Sequence, residues 1–224
     1  MDTADFRRTL AGICLITQPL LNLISVAISP QQSTDTSEQL AMIGAHPTRF
    51  LISSLLDLLW LLLLIPAVLG LLHLLLRSGC ALLGHIGCGL VLAGAVGAAA
   101  YRGVNLAQLQ VAQSALDQGQ LLTAFGQPSL GSVVAMLMSA IGLIVGYALL
   151  AVGLWRTRAA PRGASALIVA FLVVDIVGLA AGGNKGVLLV AHTLLLVGLG
   201  WIGVRILAMS NAQWRAEVGT QDRS

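Results

Sequence analysis

Six long apolar stretches, separated by short polar breaks, take up most of this chain. At a helical rise of about 1.5 Å per residue, about 20 apolar residues cross the roughly 30 Å hydrocarbon core of a bilayer. No water-soluble domain needs six segments of that length. The pattern predicts an all-α fold, a polytopic transmembrane bundle of six spans. Charged residues make up only 9% of the sequence, against about 25% in soluble domains, too few to coat a water-facing surface. With 224 residues, most of them in spans, residues 1–207 form one membrane domain and 208–224 a short polar cytoplasmic tail.

Orientation follows from the basic residues. Arg7, Arg8, Arg77, Arg156, Arg158, Arg162, Arg205, Arg215 and Arg223 fall at one set of span ends; only Arg49, Arg102 and Lys185 fall at the other. Basic residues concentrate on the cytoplasmic side, so both termini are expected in the cytoplasm and the protein in the plasma membrane, multi-pass. The net charge of +3 is therefore a topology signal. The Arg residues are spread over separate segments, which excludes a nucleic-acid partner as a reading of the basic balance. The bilayer is the expected partner, with a membrane protein or a second copy of the chain as further candidates.

The expected spans run from about residues 9–28, 49–76, 80–101, 130–155, 163–182 and 187–207. The first follows Arg7-Arg8, and its run from Leu10 to Ile28 exceeds the roughly 7–15-residue apolar region of a cleaved signal peptide, so it is read as a retained span. Span 2 is longer than a bilayer crossing requires and should tilt or kink, with Pro66 as the site. Residues 29–47 read as a polar outer loop. Residues 102–127, rich in Gln with interleaved Leu, Val and Ala, read as a helix that extends span 3 outward or lies in the interface. Glycines cluster in span 3, and Gly142 and Gly146 stand four apart in span 4. Small residues let transmembrane helices approach closely, so span 3 is expected to be central and tightly packed. Cys14, Cys80 and Cys88 lie within or at the inner ends of spans and read as packing residues.

Polar residues inside the apolar spans carry what functional signal there is. Asp57 and Asp175 each cost roughly 2.5–3.5 kcal/mol at a span centre, so they are kept for a reason. Both lie ~10–12 Å below the outer face, with His192 at ~8–9 Å, by helical rise. Asn22 falls at a similar level. Gln18, Asn22, Ser25 and Ser29 are spaced along one face of span 1, and Lys185 precedes His192 on one face of span 6. Asp57, Asp175, His192, Asn22, Gln18 and Lys185 are the expected ligand- or proton-binding residues. They form a polar layer in the outer third of the membrane, open toward the outer loops. Two readings of that layer stand: a water-accessible cavity, or interhelical hydrogen bonds.

No catalytic residue can be named. HExxH, Walker A, GxSxG and DxxxD are all absent. His73 and His85 flank the span 2–3 turn without the carboxylate or thiolate pattern of a metal or haem site, so no metal and no cofactor is expected. Paired membrane acids with a His are the usual parts of a proton relay. The reading therefore leans to small-solute or proton-linked transport or binding, with a membrane-embedded enzyme acting on a lipid or isoprenoid and an accessory subunit as alternatives.

The stretches RRTLAGICLI, FLISSLLDLLWLLLLIPAVLGLL and LLAVGLWRTRAAPRGASAL, with the polar loop after span 1, resemble a family of small six-span bacterial membrane proteins with no assigned reaction. The resemblance covers nearly the whole chain. It implies the six-span architecture and adds no catalytic residue.

Overall fold

A computed structural model describes residues 3–30, 36–113 and 129–215. The regular structure among them is helical throughout: α1 (Thr3–Ile28), α2 (Thr36–Ala45), α3 (Pro47–Arg77), α4 (Ala81–Ala112), α5 (Leu130–Thr157), α6 (Arg162–Ala180), α7 (Lys185–Ala208) and α8 (Asn211–Arg215). Six of them, α1 and α3 to α7, are long and apolar enough to cross a membrane. The protein is an all-α, six-span, multi-pass membrane bundle. Below, "outer" denotes the face away from the Arg-rich span ends.

Helix ends follow local chemistry. Pro47 opens α3 at a position where an N–H would have no helical partner. The Asn184 side chain accepts from the N–H groups of Gly186 and Val187 and so caps α7. The α6–α7 turn uses Gly182 and Gly183, both at φ 75°, a backbone region that costs glycine nothing. Lys185, expected in that turn, is instead the first residue of α7.

The spans pack as a closed ring in the order α1–α3–α4–α5–α6–α7, with α7 returning to α1. None of the six spans occupies the centre. Span 3, expected to be central, is instead one member of the ring; its Gly87, Gly94 and Gly97 face α5, while Gly84 meets Leu72 and Leu75 of α3. A Cβ added at Gly142 of α5 would lie 2.6 Å from the Gly94 Cα and the Leu90 carbonyl oxygen of α4, and one at Gly97 2.6 Å from the Ala135 carbonyl oxygen. Backbone-to-backbone approach of this kind supplies dispersion contacts that replace the hydrophobic drive missing in lipid. The α5–α6 seam is the sparsest in the ring.

Burial is lopsided along the axis. The inner half is packed with fully buried Leu15, Leu64, Leu71, Leu75, Leu150, Leu154, Ile168, Leu199, Ile202 and Ile206. The outside of the ring is apolar too, with Leu62, Leu82, Val96, Val173 and Val204 all more than half exposed, a continuous surface fit for lipid. Cys14 and Cys88 are buried and Cys80 half-buried, all three as free thiols.

Two outer segments depart from the expected layout. Residues 29–47 are not loop throughout, because α2 forms within them and packs on α3 and α4. The helix of span 3 runs on unbroken to Ala112, as one of the two readings had it. Ile43 of α2, Phe50 of α3 and Leu109 of this extension form a small buried cluster, which explains both departures. Residues 114–127 of the ambiguous stretch lie outside the described residues, as do 216–224 of the tail. At the inner face α8 tucks Trp214 against His73, with ring centroids 4.2 Å apart and the His73 Nε2 3.0 Å from the Trp214 carbonyl oxygen. His85 is exposed and bonds the Ala81 carbonyl in its own helix, so the two histidines serve separate structural ends.

Candidate functional site: a polar cavity in the outer half of the ring

Where the inner half is packed, the outer half encloses a cavity of about 270 Å³ lined by residues of all six spans. All six residues singled out from the sequence line it: Gln18 and Asn22 from α1, Asp57 from α3, Asp175 from α6, and Lys185 and His192 from α7. The reason is geometric. Each sits on the ring-facing side of its helix and outward of the leucine layer, so the axis is the only place these side chains can meet.

The polar groups fall into three tiers. At the mouth, the Lys185 ammonium donates to the Ser29 carbonyl oxygen at 2.8 Å. That carbonyl lies just past the end of α1, where helix carbonyls lack partners and the dipole is negative. The contact ties the start of α7 to the end of α1. Pro30 and Gly183, in the outer connections, also line the cavity, which brings it to the outer face.

One tier below, Asp57 is ion-paired. Its Oδ2 lies 3.0 Å from the Arg102 Nε, and its Oδ1 accepts from the Trp60 indole N–H at 3.3 Å. Arg102 looked like an outer span-end charge in the sequence. The unbroken α4 instead carries it inside the ring, and Asp57 is a buried partner of a guanidinium, not a free acid. Ser25 is likewise spent on structure: its hydroxyl donates to the Ser53 carbonyl at 3.0 Å, joining α1 to α3. Asp175 stands across the cavity in electrostatic contact with His192. The His192 Nδ1 lies 2.8 Å from the Leu188 carbonyl oxygen. A carbonyl only accepts, so Nδ1 carries a proton.

The floor is neutral. Gln18 has no exposed surface and Tyr147 is 4% exposed. The two are close enough to interact, yet neither Gln18 amide atom nor the Tyr147 hydroxyl meets hydrogen-bonding geometry with any described protein group. Phe171 stands edge-on to Tyr147 at 6.3 Å and to His192 at 5.7 Å. Trp60 and Phe171 with Leu143, Leu172 and Leu195 line the walls.

Arg102, Trp60 and Tyr147 are the site residues that sequence reasoning missed. The signal for Arg102 was the lack of any proline between Tyr101 and Ala112. Tyr147 had a fainter one, a hydroxyl in the middle of an otherwise apolar span. The cavity is lined by two basic side chains, Arg102 and Lys185, and two acidic ones, Asp57 and Asp175, with His192 in electrostatic contact with Asp175. Among the described residues no group of three His, Cys, Asp or Glu side chains is placed to hold a metal ion. A comparison of the chain with protein-family models, curated proteins and solved structures finds no match.

Proposed function

We propose that the protein binds a small polar solute in this cavity from the outer side of the plasma membrane, as a step in solute or proton-linked transport. The observation that carries the reading is the convergence of six intramembrane polar residues from four helices on one cavity lined by every span. Intramembrane ionisable residues are costly and mark ligand or ion pathways. At about 30 Å³ per water, a 270 Å³ space holds roughly nine waters or one small solute. Beneath it the leucine layer closes the inner half, so the described conformation faces outward and passage inward requires that layer to part.

The reading is tested with Asn22→Cys in a cysteine-free background, exposed to a small membrane-impermeant thiol reagent. Reaction from the outer side alone is expected. A side chain 9% exposed in the protein that stays unreactive from both sides would mean that no water reaches the cavity, and would overturn the proposal.

One observation favours a second reading, a membrane-embedded enzyme that takes a lipid or isoprenoid. Leu179 lines the cavity and is 57% exposed, near the outer end of α6, the helix that borders the sparse α5–α6 seam. Brominated outer-leaflet lipid would quench Trp60 fluorescence, in a background with the other tryptophans replaced, only if that seam admits lipid.

A further inference from the structure

We infer that a groove at the inner face holds one anionic phospholipid, its phosphate on Arg7 and its acyl chains along α1 and α3. This site is separate from the outer cavity and does not depend on it.

The groove has a volume of about 630 Å³ and is framed by the start of α1, the inner half of α3 and α8. Its chemistry changes along the membrane normal. At the inner end stand Arg7 of α1, His73 of α3, and Trp214 and Arg215 of α8. Farther into the membrane the lining is apolar, with Leu10 and Ala11 of α1 and Pro66 and Leu69 of α3. From His73 to Pro66 the groove runs ~10 Å by helical rise. Leu10 and Leu69 are exposed, at a depth where a six-span bundle is surrounded by hydrocarbon. A polar head at the interface, with an apolar body pointing to the bilayer centre, is the layout of a phospholipid in the adjacent leaflet. A soluble anion would leave the apolar length unused.

The groove also has a fixed wall. Ring contact at 4.2 Å between His73 and Trp214, and the His73 Nε2 at 3.0 Å from the Trp214 carbonyl oxygen, hold α8 in place. Trp214 is buried there, and Arg215 beside it completes the basic rim.

Charge selects the head group. Arg7 is exposed and makes no hydrogen bond or ion pair among the described residues. Asp5, close to it in sequence, is held by Arg8 at 2.8 Å. No described side chain lining the groove is acidic. A guanidinium suits a phosphate, which accepts paired N–H donors from it. The ammonium of a zwitterionic head group would meet only Arg7, Arg215 and His73 at the rim, which repel it or offer no counter-charge. A head group with net negative charge is the complement.

Binding is measured by native mass spectrometry of the full-length chain, titrated with phosphatidylglycerol or phosphatidylcholine of matched acyl chains. One phosphatidylglycerol should bind per chain, about fivefold more tightly than phosphatidylcholine, the factor for one charge near a membrane surface. Arg7→Gln should weaken phosphatidylglycerol about fivefold. Arg156→Gln, exposed at the same membrane face but outside the groove, should leave it unchanged. Leu69→Trp should weaken both lipids alike by filling the apolar length. Melting temperatures of the lipid-free variants check that each folds. Equal binding of the two lipids, equal losses in Arg7→Gln and Arg156→Gln, or unchanged binding in a folded Leu69→Trp would overturn the site. Competition by glycerol 3-phosphate as strong as by the lipid would make it a soluble-phosphate site and overturn the lipid assignment. Phosphatidylglycerol that binds only after residues 216–224 are deleted would make the tail the occupant, and would overturn it as well.

Discussion

The Asp57–Arg102 pair gives the most quantitative test of the fold. Asp57 is 7% exposed and Arg102 28% at their side chains, with a 3.0 Å contact between α3 and α4. Arg102→Met leaves the carboxylate with the Trp60 N–H alone. Removing one member of a buried pair costs about 3–5 kcal/mol, and water in the cavity should bring this to about 2–3 kcal/mol. Asp57→Asn should cost less, about 1–2 kcal/mol, because the Arg102 side chain can swing toward the mouth. The double variant removes both charges and strands neither. It should fall short of the sum of the singles by about 1–2 kcal/mol, as contacting residues do. Equilibrium unfolding in bicelles, run as a double-mutant cycle, measures that shortfall. Single-variant costs that add within about 0.5 kcal/mol would refute the ion pair. For a lone membrane acid held by hydrogen bonds, Asn would be neutral or mildly stabilising. The guanidinium beside Asp57 reverses that expectation.

Further outcomes follow from the same structure. Asp175 has no ion-pair partner among the described residues, so Asp175→Asn should leave the melting temperature of the detergent-solubilised protein unchanged. The same variant should abolish any proton coupling, read with a pH-sensitive dye in proteoliposomes; retained coupling would remove Asp175 from the relay. Gly142→Ala places a methyl 2.6 Å from the α4 backbone and should cost about 1–3 kcal/mol. Gly89→Ala, with nothing within 4 Å, should be neutral or stabilising by up to about 1 kcal/mol; matching losses in the two melts would refute the α4–α5 contact. Cysteines introduced at Gly44 and Gly79 should label from opposite sides of the membrane, the first from outside. Labelling of both from one side would refute the six-span arrangement.

Span number, helix type and the identity of the polar residues near the axis were legible without coordinates. They depend on local quantities: length of apolar run against bilayer thickness, and the cost of an aspartate in hydrocarbon. Helical spacing alone put Gln18, Asn22 and Ser25 on one face of α1, and that face is buried. The polarity of residues 29–47 misled the reading of α2. Its stability comes from Ile43 meeting Phe50 and Leu109, a contact between distant parts of the chain.

What only the tertiary structure decided is which polar groups find partners. Asp57 and Asp175 look alike in sequence, each an acid several residues inside an apolar span. Asp57 meets a guanidinium because α4 runs unbroken past Tyr101 and lies against α3. Asp175 faces open space and His192. Gln18 reads as one more polar residue in a stripe whose neighbour Ser25 is hydrogen-bonded across helices, yet it stays unpartnered among the described residues. Periodicity assigns a residue to a face of its own helix. The order of helices around the ring, set by glycine contacts between α4 and α5 and by the packing of every other seam, determines what that face meets. A hollow outer half above a packed inner one is a property of the ring, because a cavity is bounded by six segments at once and belongs to none of them.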